Sequence, residues 1–209
     1  MRPNPRYAVD DERVVRALIE ENPWATIVSD GEGGLVASHY PVLLDDASEE
    51  LAVLTHVGRP DEQLHRLGSR EILLIVAGPN GYISPSWYSE QATPVPTWNF
   101  SVAHCHGVPE ILDAERNLQV LARLVERFER RVQAPVLLDR QLGARIAAGT
   151  VGVRVPIARF VCKVKMSQDK DAHSQRQVLD ALCAPGPYAN PALAAEMQRA
   201  IGATPTRLE

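Results

Sequence analysis

The sequence predicts a mainly β, α+β chain, in which a barrel-like antiparallel sheet carries flanking and C-terminal helices. Three observations predict it. Short apolar runs of strand length, bounded by glycine, proline and acidic turns, crowd the first half of the chain. Helical spacings fall between and after them rather than in strict alternation, which favours an antiparallel barrel over a doubly wound parallel sheet. Neither Gly-x-Gly-x-x-Gly nor a Walker sequence occurs, so the usual dinucleotide and nucleoside-triphosphate loops are absent.

The elements follow in order. Asp10 and Asp11 can cap a helix whose apolar face is Val14, Val15, Leu18 and Ile19, and Asn22-Pro23 ends it because a residue before proline disfavours helical angles. Ala25–Ser29 and Leu35–His39 read as a hairpin through the glycine-rich Asp30-Gly31-Glu32-Gly33-Gly34. Val42–Leu44, Leu51–Val57 and Ile72–Ala77 are further strands, with a short helix at Asp61–Leu67. Pro79-Asn80-Gly81 predicts a turn before Tyr82-Ile83 resumes extended structure. Pro85, Pro94 and Pro96 make residues 84–98 loop or edge, and Phe100–Leu112 reads as one or two strands around Gly107.

The best helix spans 114–132, with Leu118, Leu121, Val125, Phe128 and Val132 on one face and a Glu126–Arg130 pair possible one turn apart on the other. Asp139–Ala148 is a short helix, Thr150–Val155 and Arg159–Lys165 are extended, and Asp171–Cys183 and Pro191–Ile201 are helices split by Pro185-Gly186-Pro187. This divides the chain into a barrel domain over 1–170 and a helical extension over 171–209.

Composition bounds the function. With 209 residues the chain buries roughly 70% of its unfolded surface and needs no disulfide or metal staple. A net charge of −4 argues against a general nucleic-acid binder, and arginines interleaved with glutamates over 123–131 describe a solvated helix face. Cys105, Cys162 and Cys183 form no Cys-x-x-Cys pair and read as reduced thiols. No signal peptide or membrane-length apolar run is visible, so a cytoplasmic protein is expected.

Chemistry concentrates between Gly78 and Gly107, where two of the three tryptophans, Trp87 and Trp98, lie among amide and hydroxyl side chains. Such a cluster suits a planar, hydrogen-bonding ligand, and plugging a barrel end explains the same residues. His104 and His106 share a strand face but lack a third ligand at a confirming spacing, so no metal site is expected. Ser84 and Ser86 lie outside any nucleophile elbow, and no catalytic residue is assigned. Arg59 beside His56, and the cluster Lys163, Lys165 and Ser167, are candidates to meet a phosphate.

The motifs Ala37-Ser38-His39-Tyr40-Pro41, His56 with Arg59, Gly78 through Tyr88, Val95 through Phe100, His104 with Gly107, and Lys165-Met166-Ser167-Gln168 resemble the PaiB-type FMN-binding negative transcriptional regulators, within the FMN-binding split-barrel superfamily. The resemblance implies a split β-barrel that forms a homodimer with FMN at the subunit interface. It implies Ser38 and His39 along the flavin ring, His56 and Arg59 near the phosphate, and Trp87, Thr97, Trp98, Asn99 and His104 lining the cofactor. Lys165, Ser167 and Gln168 would contribute from the C-terminal part. The sequence departs from that pattern at Pro60-Asp61-Glu62-Gln63-Leu64, at His106 and at Asp169-Lys170. Three functions follow as alternatives: a flavin-binding regulator reaching DNA, an FMN-dependent oxidoreductase acting on a small molecule, and a split barrel holding haem through His104 or His106.

Overall fold

A computed structural model describes residues 1–2, 4–31, 33–90 and 94–203. In chain order the elements are β1 (Ala8–Val9), α1 (Glu12–Glu21), β2 (Trp24–Gly31), β3 (Gly34–Pro41), β4 (Leu43–Leu44), β5 (Ala52–Gly58), α2 (Arg59–His65), β6 (Ile72–Ile83), β7 (Thr97–Gly107), β8 (Glu110–Ile111), α3 (Ala114–Glu129), α4 (Arg140–Gly149), β9 (Thr150–Pro156), β10 (Arg159–Lys165), α5 (Ala172–Cys183) and α6 (Pro191–Ala203). The α+β, mainly antiparallel fold expected from the sequence is the one observed. Of the hairpin linker, Glu32 lies outside the described residues, as do residues 91–93 of the proline-rich segment.

The chain divides into two compact units, and β6, β7 and β10 each contribute residues to both. The larger unit comprises Asp11–Val76 and Ala103–Phe160. Here β6, β2 and β3 follow one another in an antiparallel sheet that ends on β3, and β4, β5, β9 and β8 form a second sheet. β2 aligns with β3 from Trp24 opposite Pro41 to Gly31 opposite Gly34, so alternate residues sort onto two faces. Ala25, Ile27, Leu74 and Val76 are buried. Against the second sheet, α3 closes a core of Leu43, Leu54, Leu112, Val120 and Leu124. Its arginines also tie it down: Arg127 bonds Glu20, and Arg123 bonds Leu44 O at 3.2 Å and Asp46 at 3.1 Å.

The smaller unit holds Met1–Asp10, Ala77–Val102 and Val161 onward. β1, too short to be seen in the sequence, pairs with β10 through Ala8 opposite Lys163. Asp171 caps α5 by accepting from His173 N and Ser174 N, and the Ser174 hydroxyl, donating to it at 2.7 Å, together with the cap bonds holds its carboxyl down to about 2. The expected turn at Pro79-Asn80-Gly81 does not form, because β6 is a single strand from Ile72 to Ile83. β2 pairs with β6 over Leu73–Val76, so the later half of β6 has no β2 partner, and there Pro79 can lack its N–H without breaking a ladder bond on that side.

Candidate functional site

The expected site residues fall into both units: Ser38, His39, His56, Arg59 and His104 in the larger, and Trp87, Thr97, Trp98, Asn99, Lys165, Ser167 and Gln168 in the smaller.

In the larger unit the arrangement is built on β3. As the end strand of its sheet, β3 keeps one row of backbone donors and acceptors outside any ladder. Ser38 and His39 are neighbours in an extended strand and therefore point to opposite faces. His39 lies on the outward face, its Nδ1 3.0 Å from Thr26 Oγ1 and its ring stacked on Trp24 at 6.3 Å and 15°. Ser38 turns toward α2, where its Oγ is 2.9 Å from His65 Nε2. His65 Nδ1 in turn meets Ser29 Oγ at 2.8 Å, so an imidazole that is 2% exposed is bracketed by two hydroxyls. Beside it the Tyr40 hydroxyl donates to Asp61 Oδ2 at 2.5 Å, which holds the Asp61 carboxyl below its usual range. Sequence reasoning gave no role to His65 or Asp61. Ser29 and Ser38 reach one imidazole only through the register of β2 on β3, which no local motif encodes.

The tyrosine links β3 to the start of α2. Its hydroxyl accepts from Gly58 N at 3.4 Å, next to Arg59. Arg59 is exposed and donates from Nε to Ala148 O at 3.0 Å. Among the described residues its terminal amino groups meet no acceptor. Arg59, Asn117, Thr150 and Ala147 line a cleft of about 230 Å³. His56 is half-buried on β5, and its Nδ1 has no hydrogen-bond partner. A free guanidinium fork at a cleft, an orphaned imidazole nitrogen and an unpaired strand edge fit a phosphate joined to a flat, hydrogen-bonding ring.

In the smaller unit most of the expected residues are satisfied within the chain. Asn99 is fully buried and exchanges hydrogen bonds with Ser167, at 2.9 Å from its Nδ2 and 3.2 Å to its Oδ1. Gln168 closes the turn after β10, donating to Val164 O and accepting from Met166 N, each at 2.6 Å. Lys165 donates to Thr97 Oγ1 and to Trp98 O, and burial pushes its ammonium down. Trp98 stands half-exposed at the edge of Tyr82, and the more covered Trp87 meets Tyr188. Among the described residues no group of three or more His, Cys, Asp or Glu could hold a metal ion. No helix among them is long and apolar enough to cross a membrane.

Burial lowers the pKa of His56, His65 and His104, so the fold favours the neutral form of all three rings. The unfolded chain takes up protons at these rings near the ordinary histidine value of about 6.5, where the native fold binds them less readily. Stability is therefore full above that pH and falls as pH drops below it. Urea midpoints measured from pH 7.5 to 5.5, above the range where carboxylates titrate, are expected to decline. A midpoint that stays flat or rises would show that the rings are not buried neutral.

A split antiparallel barrel with a polar strand edge and an arginine-lined cleft belongs to the flavin-binding class. A family model described as "Putative FMN-binding domain" matches residues 1–159, and the chain is a member of that family, whose cofactor is FMN. The chain is 26% identical over 183 residues to protease synthase and sporulation protein PAI 2 of Bacillus subtilis, covering 85% of this chain and 87% of that protein. In fold it is similar to an FAD and heme binding protein from Mycobacterium smegmatis, with a TM-score of 0.60, 16% identity and coverage of 81% and 78% of the two chains. It is also similar to the flavocytochrome Anf3 from Azotobacter vinelandii, with a TM-score of 0.57, 20% identity and coverage of 77% and 70%.

Proposed function

We propose that the protein is a homodimeric FMN-binding redox protein, with the flavin ring along the edge of β3 and its phosphate at Arg59. When bound, FMN would supply hydride and electron transfer chemistry. The unpaired backbone near Ser38 and His39 would fix the ring's polar edge. His65 and Asp61 would hold the Ser38 and Tyr40 hydroxyls still while His56 and Arg59 meet the phosphate charge.

The observation that carries the dimer is the outward face of β2, β3 and β6. Trp24 is 62% and Leu35 82% exposed there, and Ala37, Val28, Leu73 and Ile75 join them on the same side. Thr26, His39 and Asp30 share that side, and an exposed face with this many large apolar groups around a few polar ones is of the kind that subunits bury. Light scattering of the FMN-loaded protein is expected to give twice the 23.0 kDa chain mass, and Leu35→Asp to shift it toward monomer with loss of flavin. A loaded wild-type protein that runs as a single chain overturns the reading.

The redox reading stands ahead of direct DNA regulation because the net charge is −4 and, on α3, Arg127 and Arg123 engage Glu20 and Asp46. Anaerobic reduction of the holoprotein by NADH or NADPH supports it. A flavin inert to both, in a protein that shifts DNA fragments at physiological salt, would move the assignment to regulation.

A further inference from the structure

The smaller unit contains a pocket built without Ser38, His39, His56 or Arg59, the residues on which the proposed FMN site rests. Its floor is Gly81 and Tyr82 on β6, one wall is Trp98 on β7, and the other is the α5–α6 connection carrying Tyr188 and Asn190. It encloses about 410 Å³, within the range of small-molecule sites. The Tyr82 ring lies 6.3 Å from Trp98 at 62° and 5.4 Å from Tyr188 at 44°, so three aromatic planes face the cavity from different sides. Both walls are accessible, Trp98 at 50% and Tyr188 at 52% exposure.

The walls are held in place before any ligand arrives. Trp98 Nε1 donates to Asn80 Oδ1 at 3.2 Å, Asn80 Nδ2 donates to Gly78 O at 3.2 Å, and Asn190 Nδ2 donates to Asn80 O at 3.0 Å. Asn190 Oδ1 also accepts from Leu193 N at 3.1 Å, which fixes the start of α6. A Cβ at Gly81 would sit 2.9 Å from Leu193 Cδ2 and 3.3 Å from Asn190 Nδ2, so a side chain there would have to displace both. The floor is thus pressed against α6 by a close approach that glycine permits.

Among the described residues no charged side chain lines the pocket, so it holds no fixed charge to pair with a phosphate or a carboxylate. Tyr188, Pro187 and Asn190 also lie beyond residues 1–159, the span matched by the FMN-binding family model. We infer that this pocket is a second ligand site, for an uncharged flat aromatic or heteroaromatic molecule that stacks among Tyr82, Trp98 and Tyr188. Rings of this shape gain from offset and edge contacts on several sides, and rigid walls reduce the entropy lost on binding.

The test uses the full-length FMN-loaded protein with indole, menadione and nicotinamide as probes, read by saturation-transfer NMR and calorimetry. At least one probe is expected to bind with FMN still in place. Tyr188→Ala is expected to weaken it about tenfold, and Ala189→Trp, which fills the pocket from an exposed position, to abolish it. Both variants should keep their flavin, which separates this inference from the FMN assignment and shows that they fold. The inference fails if no probe binds at millimolar concentration, if binding survives both variants, or if the probes compete with FMN itself.

Discussion

Gly107→Ala is expected to destabilise the protein by about 3 kcal/mol or more, beyond the ordinary range for overpacking. A Cβ at this position would lie 1.9 Å from Pro156 O and 3.0 Å from Pro156 C, with Val155 Cγ1 at 3.2 Å. The first obstacle is backbone, so no rotamer change relieves it. Nor can the strand ends drift apart freely. Ala158 N donates to His106 O at 2.9 Å and Ile157 N to Leu51 O at 2.8 Å, pinning the exit of β9 on both sides of the contact. The matched control is Gly186→Ala, where nothing lies within 4 Å and little change is expected. Urea unfolding of the two variants checks the difference. Equal midpoints would mean that the close approach relaxes without cost.

Gly107 also shows what kind of information the sequence carried. Phe100–Leu112 reads as one or two strands around it, and two are there: β7 ends at Gly107 and β8 covers Glu110–Ile111. Its real constraint, the carbonyl of Pro156 nearly fifty residues later, has no local trace. Period and punctuation made most elements legible. Asp11, Asp113, Asp139 and Asp171 accept from backbone N–H groups at the starts of α1, α3, α4 and α5, and the Pro185-Gly186-Pro187 break separates α5 from α6. The same punctuation misled at Pro79-Asn80-Gly81, where the absence of a β2 partner lets a turn-forming triplet stay extended.

The candidate site was legible as a set of residue types and much less as a geometry. Asn99 and Ser167 are both polar and both in resembling motifs, but they are buried against each other and bind β7 to the turn after β10. The resemblance implies both Ser38 and His39 along the flavin ring, and strand alternation turns their side chains to opposite faces. The outcome at Asp61 is the reverse. It appeared as a departure from the resembling pattern, and the structure gives it a partner in the Tyr40 hydroxyl, one residue from His39. Long-range pairing decided each case, and pairing is a property of register rather than of spacing.

Arg59→Ala is expected to weaken FMN binding by about 1.5–3 kcal/mol, roughly 10- to 150-fold, through loss of charge-assisted bonds to the phosphate. Its Nε bond to Ala148 O at 3.0 Å aims the guanidinium at the cleft with Thr150 and Asn117 while leaving the terminal amino groups to a ligand. Because the side chain is exposed and bonds only one carbonyl, its removal should leave the urea midpoint of the apoprotein nearly unchanged. Arg59→Lys keeps the charge but loses the planar fork, so an intermediate loss is expected. Riboflavin supplies the decisive comparison, since it has the ring and lacks the phosphate. Fluorescence-quenching titrations should find riboflavin bound equally by wild type and Arg59→Ala, while FMN alone discriminates between them. A parallel loss for both ligands would place Arg59 against the ring or the fold, and an undiminished FMN affinity would put the phosphate elsewhere on the chain.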